Sequence, residues 1–287
     1  MVKNKPNPGL QMDSTDQILE QIKAAGQAED ESIAIGTTAL QLAALDHPGI
    51  DIAPYLKHLD QLADDARERF SILRRGMSES ESIARVLADT IANRHGYMGD
   101  NDTFDDPQNA DIIRVIDRRR GLPVSLGIIY LDIAHRMGAT AQGLNTPGHF
   151  LLSIGEGEQA KVLDPFNGGV VLNLDELRPW PPTTTHTSPD YGPVGRREVL
   201  LRLLNNIRTR ALASKDMVRS LTIAERMVLI SPRQPELWLD LSRANEAVGK
   251  LKNAIHAAQS CISISGNETA AGREATFALA SLRRRLN

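Results

Sequence analysis

Residues 118–154 read RRRGLPVSLGIIYLDIAHRMGATAQGLNTPGHFLLSI, and residues 161–169 read KVLDPFNGG. Val124 to Met137 is an apolar run of helical length. Pro123 stands just inside its start and Gly138 just past its end, the usual asymmetry of helix termini. Short β-prone runs follow at 139–144, 149–154, 161–163 and 170–172. Thr146-Pro147-Gly148, Gly155–Gly157 and Asn167-Gly168-Gly169 separate them, which predicts a small antiparallel sheet with tight turns. Three polar residues stand at informative places in this plan. Ser125 falls in the first turn of the helix, where free N–H groups and the helix dipole favour negative charge. His149 starts a strand after a Pro-Gly turn, and Asp164 ends the next strand before Pro165. A helix N-terminus facing two adjacent strand ends can seat a nucleophile, a base and an orienting carboxylate.

Outward from this centre the chain reads as helical. Residues 1–13 form a disordered polar tail, broken by Pro6, Pro8 and Gly9. Helices are predicted from Ser14 or Thr15 to about Ala25, over Ile33–Ala44, from Ile52 to Phe70, from Ser78 to Gly96 and over Ala110–Arg118. Residues 179–195, PWPPTTTHTSPDYGPVG, exclude a helix or a central strand and read as a linker or an extended surface loop. From 196 to 287 the pattern is helical again, and it repeats. Ser220–Met227, ahead of Pro232, aligns with Ala254–Cys261, ahead of Gly266, at an offset of 34 residues, the tetratricopeptide period. Trp238, Leu241, Ala254, Ala258 and Cys261 fall at packing positions of that repeat. Ser242 and Asn245 replace its glycine and tyrosine. Two units and a final helix are too few to stand alone, so the array is expected to pack on the preceding domain. The expected fold class is α+β and helix-dominated. Residues 14–178 hold a helical region with the central helix and sheet, and residues 196–287 an all-α tetratricopeptide-like domain.

Composition bounds the function. The 287 residues include 33 Lys and Arg against 36 Asp and Glu, a formal net charge of −3. That balance argues against a general nucleic-acid binder, and aromatic residues at 4% leave little for a base-stacking surface. The single cysteine, Cys261, excludes a disulfide within the chain and a cysteine-rich metal site. There is no long apolar run and no signal-peptide core, so no membrane association and a cytoplasmic location are expected. No metal-ligand spacing occurs, and no phosphate loop follows Gly168-Gly169, so no metal and no cofactor are expected.

Several motifs carry a family resemblance: Asp106-Pro107-Gln108-Asn109, Arg118-Arg119, Gly121-Leu122-Pro123-Val124-Ser125-Leu126, Arg136-Met137-Gly138, Pro147-Gly148-His149-Phe150-Leu151 and Asp164-Pro165-Phe166-Asn167-Gly168-Gly169, with Tyr130 and Ala134. Their order resembles the transglutaminase and papain-like superfamily, and more closely its SirB-type family. Members of that family look like a transglutaminase-like core followed by tetratricopeptide repeats. The resemblance covers most of residues 30–265. It implies a nucleophile at the helix N-terminus, a His at the start of one strand and an Asp on the next. One departure matters. Such enzymes use a cysteine nucleophile, and the core here has none. The matching slot falls near Pro123, or at Ser125 with a two-residue slip. Proline has no nucleophilic atom, and a serine hydroxyl needs a strong base and an oxyanion hole.

Each candidate residue has two readings. Ser125 is a nucleophile or a helix cap. His149 is its base, or fixes the turn by bonding Asp164. Asp164 orients the His, or caps the Asn167-Gly168-Gly169 turn. His135, alone in the apolar helix, reads as a surface or partly buried residue. The acidic loop GDNDTFDD, 99–106, reads as helix capping, and Arg118-Arg119-Arg120 as a solvated helix end. In the repeats, Asn205, Asn206, Arg208 and Arg243 are candidates to line a peptide-binding groove; the alternative is a brace for the core. Two functions follow. One is a non-catalytic interaction or regulatory protein with a protein or peptide partner, built on a degenerate core. The other is a hydrolase or acyltransferase on peptide or amide bonds, with Ser125, His149 and Asp164 as its triad.

Overall fold

A computed structural model describes residues 14–73, 76–144, 146, 149–172 and 192–286. The tail 1–13 and most of the stretch read as a linker, 179–191, lie outside the described residues. Helices α1 (Ser14–Gln27), α2 (Ile35–Ala44), α3 (Ala53–Leu73) and α4 (Glu79–Leu87) come first, and α4 runs on into π-helical turns at Ala88–Arg94. β1 (Met98–Gly99), a 3-10 turn (Pro107–Ala110), α5 (Ile112–Arg118) and β2 (Arg120–Gly121) lead into α6 (Pro123–Arg136). Strands β3 (Ala141–Leu144), β4 (Leu151–Ile154), β5 (Lys161–Asp164) and β6 (Val170–Leu172) follow. After β7 (Pro193–Val194) come α7 (Arg196–Ala213), α8 (Met217–Ile230), α9 (Pro235–Ala247), α10 (Leu251–Ser265) and α11 (Ala270–Leu286). The fold is α+β, and each expected helix and strand is present to within a few residues at its ends.

α6 sits at the centre. Every residue from Val124 to Ala134 is buried, as an all-round apolar helix requires. α2, α3, α4 and the sheet enclose it. Leu126, Ile128, Ile129, Leu131 and Ile133 are at most 1% exposed. At roughly 1.5–3 kcal/mol each, these five side chains contribute on the order of 10 kcal/mol of apolar burial. Ser125 and Asp132 are polar exceptions; Asp132 accepts the Gly36 N–H of α2 at 3.1 Å and pairs with Arg136 at 2.6 Å. Gly127 lets the sheet close on the helix, since a Cβ there would lie 2.3 Å from the Phe150 ring.

The sheet runs β6-β5-β4-β3-β7 and its pairings are antiparallel. Leu152 stands opposite Leu163, and Asp164 opposite Val170. β7 goes beyond the sequence expectation: Pro193 and Val194, read as linker, form the edge strand beside β3. Proline has no N–H to donate to a ladder, and an edge position tolerates that. The short parallel pair β1–β2 is also unforeseen; it joins Met98 to Arg120 and Gly99 to Gly121.

The C-terminal part is all helical, and its helix ends recur. Met217 and Leu251 open α8 and α10, and Ala213 and Ala247 close α7 and α9, in each case 34 residues apart. One hydrophobic cluster nevertheless runs from Ile22 through α6 to Ala257. The boundary at residue 196 marks a change of element type and no break in the core. Two carboxylates tie the parts together. Asp30 caps α7, accepting the N–H groups of Arg196 at 2.7 Å and Arg197 at 2.9 Å. Asp46, just past α2, accepts from Arg219 and Arg226 of α8. Burial opposes the charge on Asp46, but the hydrogen bonds and charges of those two arginines outweigh it and hold its carboxyl down at about 2.

Candidate functional site

The N-terminus of α6 is locked by Asn109. Leu122 is the N-cap and offers no capping side chain. Its N–H donates to the Asn109 carbonyl at 2.9 Å, and the Ser125 hydroxyl donates to the same carbonyl at 2.8 Å. Ser125 therefore does not cap the helix; it gives its proton sideways to another element. Asn109 is itself held by its side chain, which donates to the Thr103 carbonyl at 2.6 Å and accepts from Arg118 at 3.2 Å. Arg118 also meets Asp100 at 3.0 Å. Hydrogen bonds from the side chain and backbone of Thr103 hold the Asp100 carboxyl down at about 2, against the effect of burial. This network explains the Asp106-Pro107-Gln108-Asn109 and Arg118 motifs. Within the acidic loop, Asp106 caps the 3-10 turn through the Gln108 N–H at 2.9 Å, whereas Asp100 organises the loop itself.

His149 and Asp164 come together. His149 lies just ahead of β4, and its Nε2 is 2.8 Å from Oδ2 of Asp164 at the end of β5. A carboxylate only accepts, so Nε2 carries the proton and Nδ1 is the nitrogen left to act as a base. Asp164 also performs the turn-capping role: Oδ1 accepts the N–H groups of Phe166 and Asn167, at 3.0 and 3.2 Å, and Oδ2 accepts the Asn167 side chain at 2.7 Å. Gly168 and Gly169 complete that turn in left-handed conformations, with φ of 71° and 75°. The hydrogen bond to Asp164 raises the His149 pKa despite burial. Burial works against the Asp164 charge, but the bonds from His149 and Asn167 prevail and hold its carboxyl below the ordinary range. Beside the pair, the Tyr130 hydroxyl is buried with no hydrogen-bond partner among the described residues. Burial and the Asp164 charge both push its pKa up.

Ser125 is fully buried and makes no hydrogen bond to His149. Of the three residues, the structure pairs His149 with Asp164 and sets the serine proton on Asn109. Cys261 is also buried, and lies in the helical part against Leu239, Ala271 and Ala275. His135 is half-buried, with Nε2 at 2.9 Å from the Ala141 carbonyl, and burial lowers its pKa.

Of the arginine run, Arg120 is exposed, as a solvated helix end would be, while Arg118 and Arg119 are engaged with other elements. Arg118 is engaged as above. Arg119 adopts a left-handed conformation, φ 58°, at the end of α5. Its guanidinium lies 4.6 Å from the centre of the Tyr97 ring and donates to the Tyr97 hydroxyl and to Nε2 of His58. Beside it, His95 bonds Asp65 at 2.7 Å. Burial, then the Arg119 and His95 charges, press the His58 pKa down to about 4, so that it stays an acceptor at neutral pH. Sequence reasoning missed this cluster because its members come from α3, the link between the π-turns and β1, and the residue just past α5. The seven-residue spacing of His58 and Asp65, which places both on one face of α3, was the available signal.

The groove candidates lie on α7 and α9. Arg208 of α7 pairs with Asp240 of α9 at 2.7 Å. Arg243 bonds the same Asp240 at 3.1 Å and reaches Glu274 of α11. Asn206 turns back on α7, donating to the Arg202 carbonyl at 2.9 Å. Asn205 is exposed.

The family model described as the transglutaminase-like superfamily matches residues 53–205. A UPF0162 protein of Xylella fastidiosa, strain Temecula1, is 28% identical over 236 residues, covering 79% of this chain and 83% of that protein. A UPF0162 protein of Vibrio cholerae is 43% identical over 86 residues, 30% of this chain and 32% of the relative. Protein SirB1 of Salmonella typhimurium is 26% identical over 184 residues, 62% of this chain and 66% of its own length. No helix among the described residues is long and apolar enough to cross a membrane. The matched span contains α6, strands β1 to β7 and the His149–Asp164 pair, and the chain belongs to the transglutaminase-like superfamily, within its SirB-type family.

Proposed function

We propose that the protein is a non-catalytic interaction or regulatory protein that keeps a transglutaminase-like core as a scaffold and binds a protein or peptide partner. One observation carries this reading. The hydroxyl at the expected nucleophile position, that of Ser125, is fully buried and bonded to a main-chain carbonyl. An attacking group must be reachable and must share its proton with a base; Ser125 meets neither condition. The 34-residue recurrence of helix ends supports a tetratricopeptide-like reading of the C-terminal hairpins. Arg208 and Arg243 are engaged with Asp240 and Glu274, which favours their role as a brace between helices over direct peptide contacts.

The second reading is a Ser-His-Asp hydrolase or acyltransferase. Its support is the His149–Asp164 pair, with a His whose side chain is 36% exposed. A fluorophosphonate probe separates the two. The folded protein is expected to remain unlabelled, and labelling of Ser125 that disappears in His149→Ala would establish the hydrolase instead.

A further inference from the structure

Charge is unevenly distributed along the chain. Residues 250–287 hold six Lys and Arg against two Glu, whereas residues 1–249 hold 27 against 34. A net +4 is therefore gathered on α10, α11 and their flanking turns, in a protein that is −7 elsewhere. Little of that positive charge is matched inside the protein. Arg285 pairs with Glu246, and Glu274 is already engaged by Arg243. Arg273 donates to the main-chain carbonyl of Glu268 and has no carboxylate partner among the described residues. Arg283 and Arg284 are exposed, and their side chains make no ion pair or hydrogen bond among the described residues.

α11 buries one side and presents the other. Ala271 and Ala275 pack with Leu239 of α9 and Cys261 of α10, and Leu282 is buried on the same side. The opposite side carries Arg273, Phe277 and Arg284 at i, i+4 and i+11, which share one helix face. The Phe277 ring is 75% exposed. Ala280, exposed and small one turn further on, leaves the flank of the ring open. We propose that this face docks an acidic segment of a partner protein, whose carboxylates meet Arg273 and Arg284 and whose apolar side chain covers Phe277. The proposal rests on the interaction reading above.

Charge complementarity selects the occupant. Exposed guanidinium groups without counter-charges bind carboxylates through paired, charge-assisted hydrogen bonds. An aromatic ring between arginines is also the composition that dominates protein interfaces. Arg273 and Arg284 stand about 16 Å apart along the helix axis. Carboxylates about five residues apart in an extended segment match that spacing. A nucleic acid would favour a protein of positive overall charge, and this chain is −3. A bilayer would need an apolar helix face to insert, and the apolar side of α11 is already packed on its neighbours.

The test pans a phage-displayed random dodecapeptide library on the full chain. Enriched peptides are then titrated by fluorescence anisotropy against wild type, Phe277→Ala, Arg284→Glu and Lys57→Glu. Lys57 is exposed on α3, so its reversal changes the net charge as Arg284→Glu does, but elsewhere in the fold. All three altered side chains are exposed, and circular dichroism melts verify folding. Enriched peptides are expected to carry acidic residues on both sides of an aliphatic or aromatic one. They should bind Phe277→Ala and Arg284→Glu at least about tenfold more weakly than wild type. Binding to Lys57→Glu should stay within about twofold of wild type, since a distant exposed charge is screened. Equal binding to all four proteins, or an equal loss in Lys57→Glu and Arg284→Glu, overturns the assignment and leaves the interaction reading standing. Absence of any enriched peptide, or enrichment without acidic residues, also overturns it. Binding to phosphatidylserine vesicles that Arg284→Glu abolishes would give the face to a bilayer, and self-association that Arg284→Glu abolishes to a second copy; either overturns the acidic segment. Failure of the interaction reading shows separately, as ester or amide turnover that His149→Ala removes.

Discussion

The Ser125 hydroxyl donates to the main-chain carbonyl of Asn109 at 2.8 Å, and neither residue is exposed to solvent. The bond joins the first turn of α6 to the 3-10 turn ahead of α5. The Asn109 carbonyl keeps the Leu122 N–H when the hydroxyl is removed. Ser125→Ala is therefore expected to destabilise the protein by only about 1 kcal/mol, the net worth of one hydrogen bond. Urea unfolding measures that loss, and partner binding should be unchanged.

The His149–Asp164 pair makes stability depend on pH. The His149 pKa is raised above 6.5 in the folded protein, so its contribution is full below 6.5 and fades as pH rises through the raised value. The Asp164 pKa is depressed below 3.8, so its contribution is present above 3.8 and fades as pH falls through the depressed value. Both operate between those limits. The stability difference between wild type and His149→Ala is expected to be larger near pH ~5.5 than near pH ~8.5. NMR titration of the His149 ring checks the same point, since Asp164→Asn should lower its pKa.

Asp46 fastens α2 to α8. Asp46→Asn leaves Arg226, whose side chain is 7% exposed, without its counter-charge. Removing one member of a buried pair is strongly destabilising, and a loss of at least about 2 kcal/mol is expected. In the wild type this contribution is present above 3.8 and declines as pH falls towards about 2. Acid unfolding of the wild type against the variant reads it directly.

Gly26 marks a close approach of α1 to α8. A Cβ there would lie 1.9 Å from the Leu229 carbonyl oxygen, a backbone atom. Two helices would have to separate to admit it, so Gly26→Ala should cost about 3 kcal/mol. A lowered urea midpoint with an unchanged slope is the expected result.

The sequence by itself determined the helices, strands β3 to β6 and their order. Pro123 and Gly138 bound α6, the apolar residues between them made it central, and Asn167-Gly168-Gly169 placed the turn between β5 and β6. These signals are local: each acts through the conformation of a residue or the spacing along one helix or strand. The motif order also carried the family, and the strand pattern itself placed His149 and Asp164 near the ends of neighbouring strands. What Ser125 does was decided only in three dimensions, because the acceptor of its proton is a carbonyl on a different element. The same holds for Asp30 as the cap of α7, for Asp46 between Arg219 and Arg226, and for Arg119 over Tyr97. A polar side chain buried away from water must find a partner, and the sequence states that requirement without naming which distant group meets it.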